Sequence, residues 1–169
     1  MAQQQPQRTA KTPSASQVEL TELVLPNDTN QLGNLLGGRL MHWVDIAAAL
    51  AAQKHSGRVS VTASVDEMTF LLPVKLGQVV RLHASVNRAF HTSMEVGVHV
   101  DVEDFRTGDV RHVSTAYLTF VAIDEIGRAV RVPELLPETE DDKRRFADAE
   151  TRRAHRLQKR DEMVHNDRS

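Results

Sequence analysis

Along this chain the spacing of apolar positions changes character twice. From Val18 to Leu25 apolar and polar residues interleave, which predicts a first strand, and Pro26-Asn27-Asp28-Thr29-Asn30 ends it with turn-forming residues. A loop runs on through Gly33 to the Gly37-Gly38 pair. From about Arg39 to Lys54 the spacing becomes helical. Leu40, Val44, Ala47, Ala48 and Ala51 share a face, no proline interrupts, and Gly57 follows the end. After Gly57 the period is two. Val59, Val61, Ala63 and Val65 alternate with polar residues; Val80, Leu82, Ala84 and Val86 form a second set, and Met94, Val96, Val98, Val100 and Val102 a third. Val110 to Ile123 is apolar on both faces in its second half, which predicts an interior strand.

The order strand, long helix, four strands predicts an α+β fold with an antiparallel sheet of about five strands around a central helix. The helix is apolar or small almost all round, so it is expected to be wrapped by sheet, with its alanines permitting close approach. Residues 1–17 hold five Gln, two Pro and no acid and read as a disordered tail, leaving 18–137 as the folded domain. Residues 138–169 carry nine acidic and nine basic side chains, acids first. That order suits a helix macrodipole and predicts a solvated helix from Glu140 to Glu162 with few apolar anchors (Phe146, Leu157, Met163).

Composition narrows the function. The chain has 169 residues, no cysteine, 21 basic and 23 acidic residues. A thiol nucleophile and cysteine-based metal sites are excluded, and no net basic field is available for nucleic acid. The longest wholly apolar run, Ile46 to Ala52, is too short to span a bilayer, and no apolar signal segment stands at the N-terminus. A cytoplasmic protein is the expectation. The signatures of serine hydrolases, P-loop enzymes and dinucleotide enzymes are absent. The single Trp43 and single Tyr117 offer little surface for stacking bases. Among the eight histidines, His83, His91 and His99 are evenly spaced, but no HxxxH or HxH occurs, so no metal site and no cofactor are expected.

Asp45 stands out as an acid between Val44 and Ile46 on an alanine-rich helix. A carboxylate there is paired, faces a groove, or serves as a base. Gly37 and Gly38 open the helix, where unpaired N–H groups and the lack of side chains allow an oxyanion to approach. Asn34, just before them, has a carboxamide able to orient water or a carbonyl, and His42 lies one turn from Asp45.

The run Pro26-Asn27-Asp28-Thr29-Asn30-Gln31-Leu32-Gly33-Asn34-Leu35-Leu36-Gly37-Gly38-Arg39-Leu40-Met41-His42-Trp43-Val44-Asp45 resembles the opening of the hotdog-fold acyl-CoA thioesterases, the bacterial and cytosolic brain-type acyl-CoA hydrolases. Val61-Thr62-Ala63-Ser64-Val65-Asp66, Thr92-Ser93-Met94-Glu95-Val96 and Val132-Pro133-Glu134-Leu135-Leu136-Pro137-Glu138-Thr139-Glu140 agree in order and spacing. The resemblance implies hydrolysis of fatty acyl-CoA to free acid and CoA, without a cofactor, as part of fatty acid metabolism. It implies Asp45 as general base or nucleophile, Asn34 supplied across a dimer interface, and Gly37 or Gly38 N–H groups on the thioester oxygen. Thr62, Ala63, Ser64, Thr92 and Ser93 would line the pantetheine channel, with Arg88, Lys143 and Arg144 as candidates for the phosphates. The implied unit is a dimer, assembled as a trimer of dimers into a hexamer, with the charged tail over a neighbouring subunit. Relatives often carry histidine or an aromatic residue where this chain has Leu36. Two other readings fit the same fold: an acyl-thioester hydratase or dehydratase, which needs His42 paired with Asp45, and a non-catalytic acyl-CoA-binding sensor. Met68, Phe70, Met94 and Phe120 are the residues expected to set acyl depth.

Overall fold

A computed structural model describes residues 9–166. Its main elements are β1 (Val18–Leu23), α1 (Gly37–Ser56), β2 (Ser60–Val65), β3 (Val79–Ala89), β4 (Ser93–Glu103), β5 (Val110–Ala122) and α2 (Glu140–Asn166). The five strands form one sheet in the order β1-β3-β4-β5-β2, every pair antiparallel. This is the hotdog arrangement the sequence predicts. The period-two pattern leads directly to the β3–β4 and β4–β5 hairpins. It does not reveal that β2 sits on the far edge beside β5, with residues 66–78 carrying the chain back across to β3.

Alternation decides which face of the sheet is dry. Val80, Leu82 and Val86 of β3 and Met94, Val96, Val98 and Val100 of β4 are fully buried against α1, whose Leu40, Val44, Ala47, Ala48, Ala51 and Ala52 meet them. The alanines present no long side chain, so the helix lies close to the sheet. α1 stops at Gly57, whose φ of +63° is costly for any residue with a Cβ, and the Gly57 N–H closes the last turn on the Gln53 carbonyl at 2.8 Å. The sheet wraps this helix as expected and leaves one side of it uncovered. Met41, Ile46 and Leu50 remain exposed on α1, as do Val61 and Val65 on edge strand β2. A single five-stranded sheet is not wide enough to close around the helix.

The stretch expected to be a tail is tied down over its described part. Lys11 exchanges backbone hydrogen bonds with Glu134 and Leu136, and buried Ser16 accepts the Val86 N–H at 3.0 Å. The disorder expected of residues 1–8 falls outside the described residues. The Val132–Pro137 segment closes the far end of α1. His55, fully buried, donates from Nε2 to the Pro133 carbonyl at 2.8 Å. Among the described residues no helix is long and apolar enough to cross a membrane.

α2 forms where the charge order predicts it, but it is not merely solvated. It docks on the outer face of its own sheet through cations. Glu95 of β4, fully buried, receives Arg152 on both oxygens at 2.7–3.1 Å and Arg156 at 3.1 Å. Arg156 also reaches Asp66 at 2.8 Å, and Asn87 donates to Glu95 at 3.1 Å. Gly97 makes room for this cluster, since a Cβ there would lie 2.7 Å from Asn87 Nδ2. Arg152 stacks over Tyr117 and Arg88 over Phe146, so the long side chains supply apolar contact as well as charge. Leu157 and Met163, expected as anchors, are exposed.

Removing one partner of a buried ion pair strands the others. Glu95→Ala is therefore expected to lower unfolding free energy by about 3–5 kcal/mol, read from urea denaturation; an unchanged midpoint would show that α2 docks by other means. A second expectation concerns acid. Burial, partly offset by the Pro133 hydrogen bond, holds the His55 pKa below its ordinary 6.5. Unfolding then takes up a proton, so the contribution is complete above pH 6.5 and is lost as pH falls towards the folded value. The denaturation midpoint should drop between pH 7 and pH 5, and His55→Gln should flatten that drop; an equal slope in the variant would acquit His55.

Candidate functional site

Two cavities of about 260 Å³ each flank the first turns of α1. One is lined by Asn34, Gly37, Leu40 and the 70–74 segment. The other is lined by Gly38, Met41, His42, Asp45, Val65 and Met68. The glycine pair therefore stands between them, one glycine on each. The loop before the helix is held by Asp28. Its carboxylate accepts the Leu25 N–H at 2.9 Å and pairs with Arg39 Nε at 3.0 Å, and its carbonyl accepts the Leu36 N–H. The first backbone bonds of α1 run from Arg39 and Leu40 to Leu36. Gly37 and Gly38 N–H thus have no partner among the described residues, as expected of a helix start. A Cβ on Gly38 would meet nothing within 4 Å. The open space there belongs to the cavity.

Asp45 projects from the third turn of α1 into the second cavity and is half-buried. Its Oδ1 accepts the Thr62 hydroxyl at 2.7 Å. Thr62 lies on β2 where the register against β5 slips between Thr62 and Ser64, a bulge that re-aims the strand. Among the described residues neither a Lys nor an Arg pairs with Asp45, and no hydrogen bond joins it to His42. The His42–Asp45 hydrogen bond that the hydratase reading calls for is not formed among the described residues, although both side chains line this cavity. The surroundings of the carboxylate are Met41, Val44, Val65, Met68 and Leu118. The carboxylate thus has one hydroxyl donor among the described residues and faces a cavity whose wall also holds His42 and Gly38.

The structure places the other sequence candidates as follows. Asn34 lines the first cavity, not that of Asp45, and its backbone is bonded to Asn30 in both directions. Ala63 and Ser64 follow Thr62 on edge strand β2. Ser93 pairs in register with Val121, which also faces Val61, so Thr92 and Ser93 lie at the same end of the sheet as Thr62, two strand spacings away. That separation is ~10 Å. Arg88 is committed to the α2 backbone at Phe146 and to Glu150, Lys143 to Glu140, and Arg144 to Asp141 and Asp148. Of the residues expected to set acyl depth, Met94 and Phe120 are sealed in the core, Met68 lines the Asp45 cavity, and Phe70 lines the other.

Two residues were not singled out from the sequence. Asp28 is the staple described above. Asn30 is the second. Its Oδ1 accepts the N–H groups of Leu32 (2.9 Å) and Asn34 (3.2 Å), while its exposed Nδ2 meets no acceptor among the described residues. The carboxamide is thereby locked with its donors outward. The signal was present in the Asp28-Thr29-Asn30 turn, which reads equally well as plain loop chemistry.

Comparison with known proteins agrees with this architecture. Residues 32–108 match the family described as the Thioesterase superfamily. The chain is 42% identical over 127 residues to the acyl-CoA thioester hydrolase YkhA of Bacillus subtilis, itself described as uncharacterized, covering 75% of this chain and 74% of that protein. It is 42% identical over 142 residues to mouse acyl-coenzyme A thioesterase 11, covering 84% of this chain but only 24% of that longer protein. Among solved structures, the acyl-CoA hydrolase of Staphylococcus aureus, seen with butyryl coenzyme A, coenzyme A and coenzyme A disulfide, superposes with a TM-score of 0.83 at 35% identity. That match covers 92% of this chain and 98% of that one. Further structures of the same enzyme carry alanine in place of an aspartate, an asparagine or a threonine. An acyl-CoA thioesterase described as hexameric superposes with a TM-score of 0.87 at 36% identity, over 90% of this chain and 97% of that one. By its residues, its sheet order and these likenesses, the chain belongs to the hotdog-fold acyl-CoA thioesterase family.

Proposed function

We propose that the chain hydrolyses fatty acyl-CoA to the free acid and CoA, with Asp45 as the acid–base or nucleophilic group. The observation that carries this reading is the Asp45 carboxylate. Thr62 holds its Oδ1 at 2.7 Å, no cation pairs with it among the described residues, and it faces a largely apolar cavity that the Gly38 end of α1 and His42 also line. In the base form of the mechanism, Asp45 takes a proton from water as the oxygen attacks the thioester carbonyl. The negative charge that builds on the carbonyl oxygen lies towards the Gly37 and Gly38 N–H groups at the positive end of the helix. The C–S bond then breaks, and the CoA sulfur leaves with a proton returned from Asp45. In the nucleophile form the same carboxylate attacks first and the C–S bond breaks, expelling the CoA thiolate and leaving a mixed anhydride; water then cleaves the anhydride to the free acid and the regenerated carboxylate, and the proton released goes to the thiolate. Neither route calls for a metal or an organic cofactor.

Among the described residues none that lines this cavity carries a carboxamide, and an exposed apolar strip of Met41, Ile46, Leu50, Val61 and Val65 lies on α1 and β2 around it. A second copy laid on that strip would cover the apolar surface and bring in the missing group, which favours a dimer as the working unit. A relative described as hexameric fits three such dimers. In the Staphylococcus aureus enzyme the substituted aspartate lies fifteen residues after the substituted asparagine and seventeen before the threonine. Here Thr62 follows Asp45 by the same interval, and the residue fifteen before Asp45 is Asn30. We therefore place the partner-supplied carboxamide at Asn30, whose Nδ2 points outward, in preference to Asn34. Since Arg88, Lys143 and Arg144 are held in contacts within the chain, Arg153 is the better candidate for a CoA phosphate. It stacks over Phe90 at 4.5 Å beside the Thr92–Ser93 turn and has no acidic partner among the described residues.

Asp45→Asn should slow thiol release from acyl-CoA by at least ~10²-fold while CoA binding persists, and Thr62→Val should slow it less. Turnover at the wild-type rate in Asp45→Asn would remove the carboxylate from the reaction. Asn30→Asp keeps the Oδ1 acceptor and deletes the outward donors, so it should lose more rate than Asn34→Ala. Mixing it with Asp45→Asn should restore part of the activity through mixed dimers. A larger loss in Asn34→Ala, or no rescue after verified subunit exchange, would refute the shared-site assignment.

A further inference from the structure

α2 covers only one end of the outer sheet face, and at the other end the outward positions of β3, β4 and β5 hold a second cluster of chemistry-bearing side chains. His99 and Asp101 alternate along β4, while His112 of β5 stands in register with Asp101 across a shift that follows Val100. His99 Nε2 lies 3.0 Å from Asp101 Oδ1, and His112 Nδ1 lies 3.3 Å from the same oxygen. One ligand atom from each of the three residues falls within 4.8 Å of the others, and the two imidazoles stack with centroids 4.1 Å apart at 17°. We propose that His99, Asp101 and His112 form a binding site for a divalent transition-metal ion of borderline softness, Zn²⁺ being the natural probe.

The donor spacing favours an ion. Zinc bonds of ~2.0–2.1 Å in tetrahedral array place ligand atoms ~3.3–3.4 Å apart, close to the two nitrogen–oxygen separations of 3.0 and 3.3 Å here. Two imidazoles and a carboxylate suit zinc, nickel, cobalt or copper, and leave a fourth position for water. The supporting contacts are also in place. The Thr115 hydroxyl lies 3.2 Å from His112 Nε2 and can accept its N–H, which fixes the tautomer with a lone pair on Nδ1. The charge balance points the same way. Arg81, opposite Asp101 on β3, turns to Glu103, so Asp101 has only imidazole partners among the described residues. His83, paired in register with His99 on β3, adds a neighbouring imidazole but no hydrogen bond to the carboxylate among the described residues.

The three ligands sit on strands whose inward neighbours Val98, Val100 and Val102 are buried, so the site is preorganised by the core and lies on the face of the sheet turned away from α1 and Asp45. An ion there would clamp β4 to β5 where their ladder is irregular. It takes no part in the hydrolysis proposed above.

The test uses the full chain without a histidine tag, stripped with chelator and dialysed. Titration with Zn²⁺ in a calorimeter should give one ion per chain with a dissociation constant in the micromolar range or tighter, together with a rise in Tm. His99→Ala and Asp101→Asn should each weaken binding at least about tenfold and abolish the rise. His91→Ala and His155→Ala, at exposed histidines elsewhere, should leave both intact. Asp101→Asn is nearly isosteric, and its circular dichroism should match wild type. No uptake by wild type, equal loss in the His91 or His155 variants, or undiminished binding by Asp101→Asn would overturn the proposal.

Discussion

A hydroxyl on an edge strand and a carboxylate on the central helix meet at 2.7 Å, and most of the molecule is arranged so that they can. Asp45 needs a helix that can lie against a sheet, hence the alanines at 47, 48, 51 and 52. Thr62 needs a strand bent at its bulge, hence the register slip beside Ser64. The bond fixes one carboxylate oxygen and leaves the other without a donor among the described residues. Without Thr62 the carboxylate would lose its one hydrogen-bond donor among the described residues.

The two faces of the sheet solve opposite problems. The inner face is dry and apolar, and it supports α1 by shape alone. The outer face carries Glu95 in complete burial, which would be strongly unfavourable if α2 did not bring Arg152 and Arg156 to it. Because Arg156 touches Asp66 as well, the C-terminal helix is linked to the segment that follows β2, one residue beyond Val65 in the wall of the Asp45 cavity. Surface helix, buried acid and cavity wall are thus mechanically continuous.

How much of this could be read from the residues follows from which interactions are local. The strands and both helices were legible because side-chain period reports burial directly; Val80 to Val86 and Met94 to Val102 alternate as the sheet demands. The placement of β2 at the far edge was not, because period says nothing about which strand is the neighbour. The docking of α2 was missed for a related reason. Its arginines look solvated until Glu95, more than fifty residues earlier, is known to lie beneath them. Asp45 was legible as an acid out of place on a greasy helix. Asn30, proposed as the partner-supplied carboxamide, was not, since a carboxamide in a turn has an ordinary explanation, and the spacing to Asp45 shared with a relative is what sets it apart. The His99–Asp101–His112 cluster likewise exists only through strand register.

α2 is gripped by the sheet as far as Arg156 and then continues to residue 166, with exposed side chains from 157 to 165. At 1.5 Å per residue that overhang is ~15 Å of helix. A label attached along it would stand away from the buried Glu95 contacts that fix the helix to the sheet.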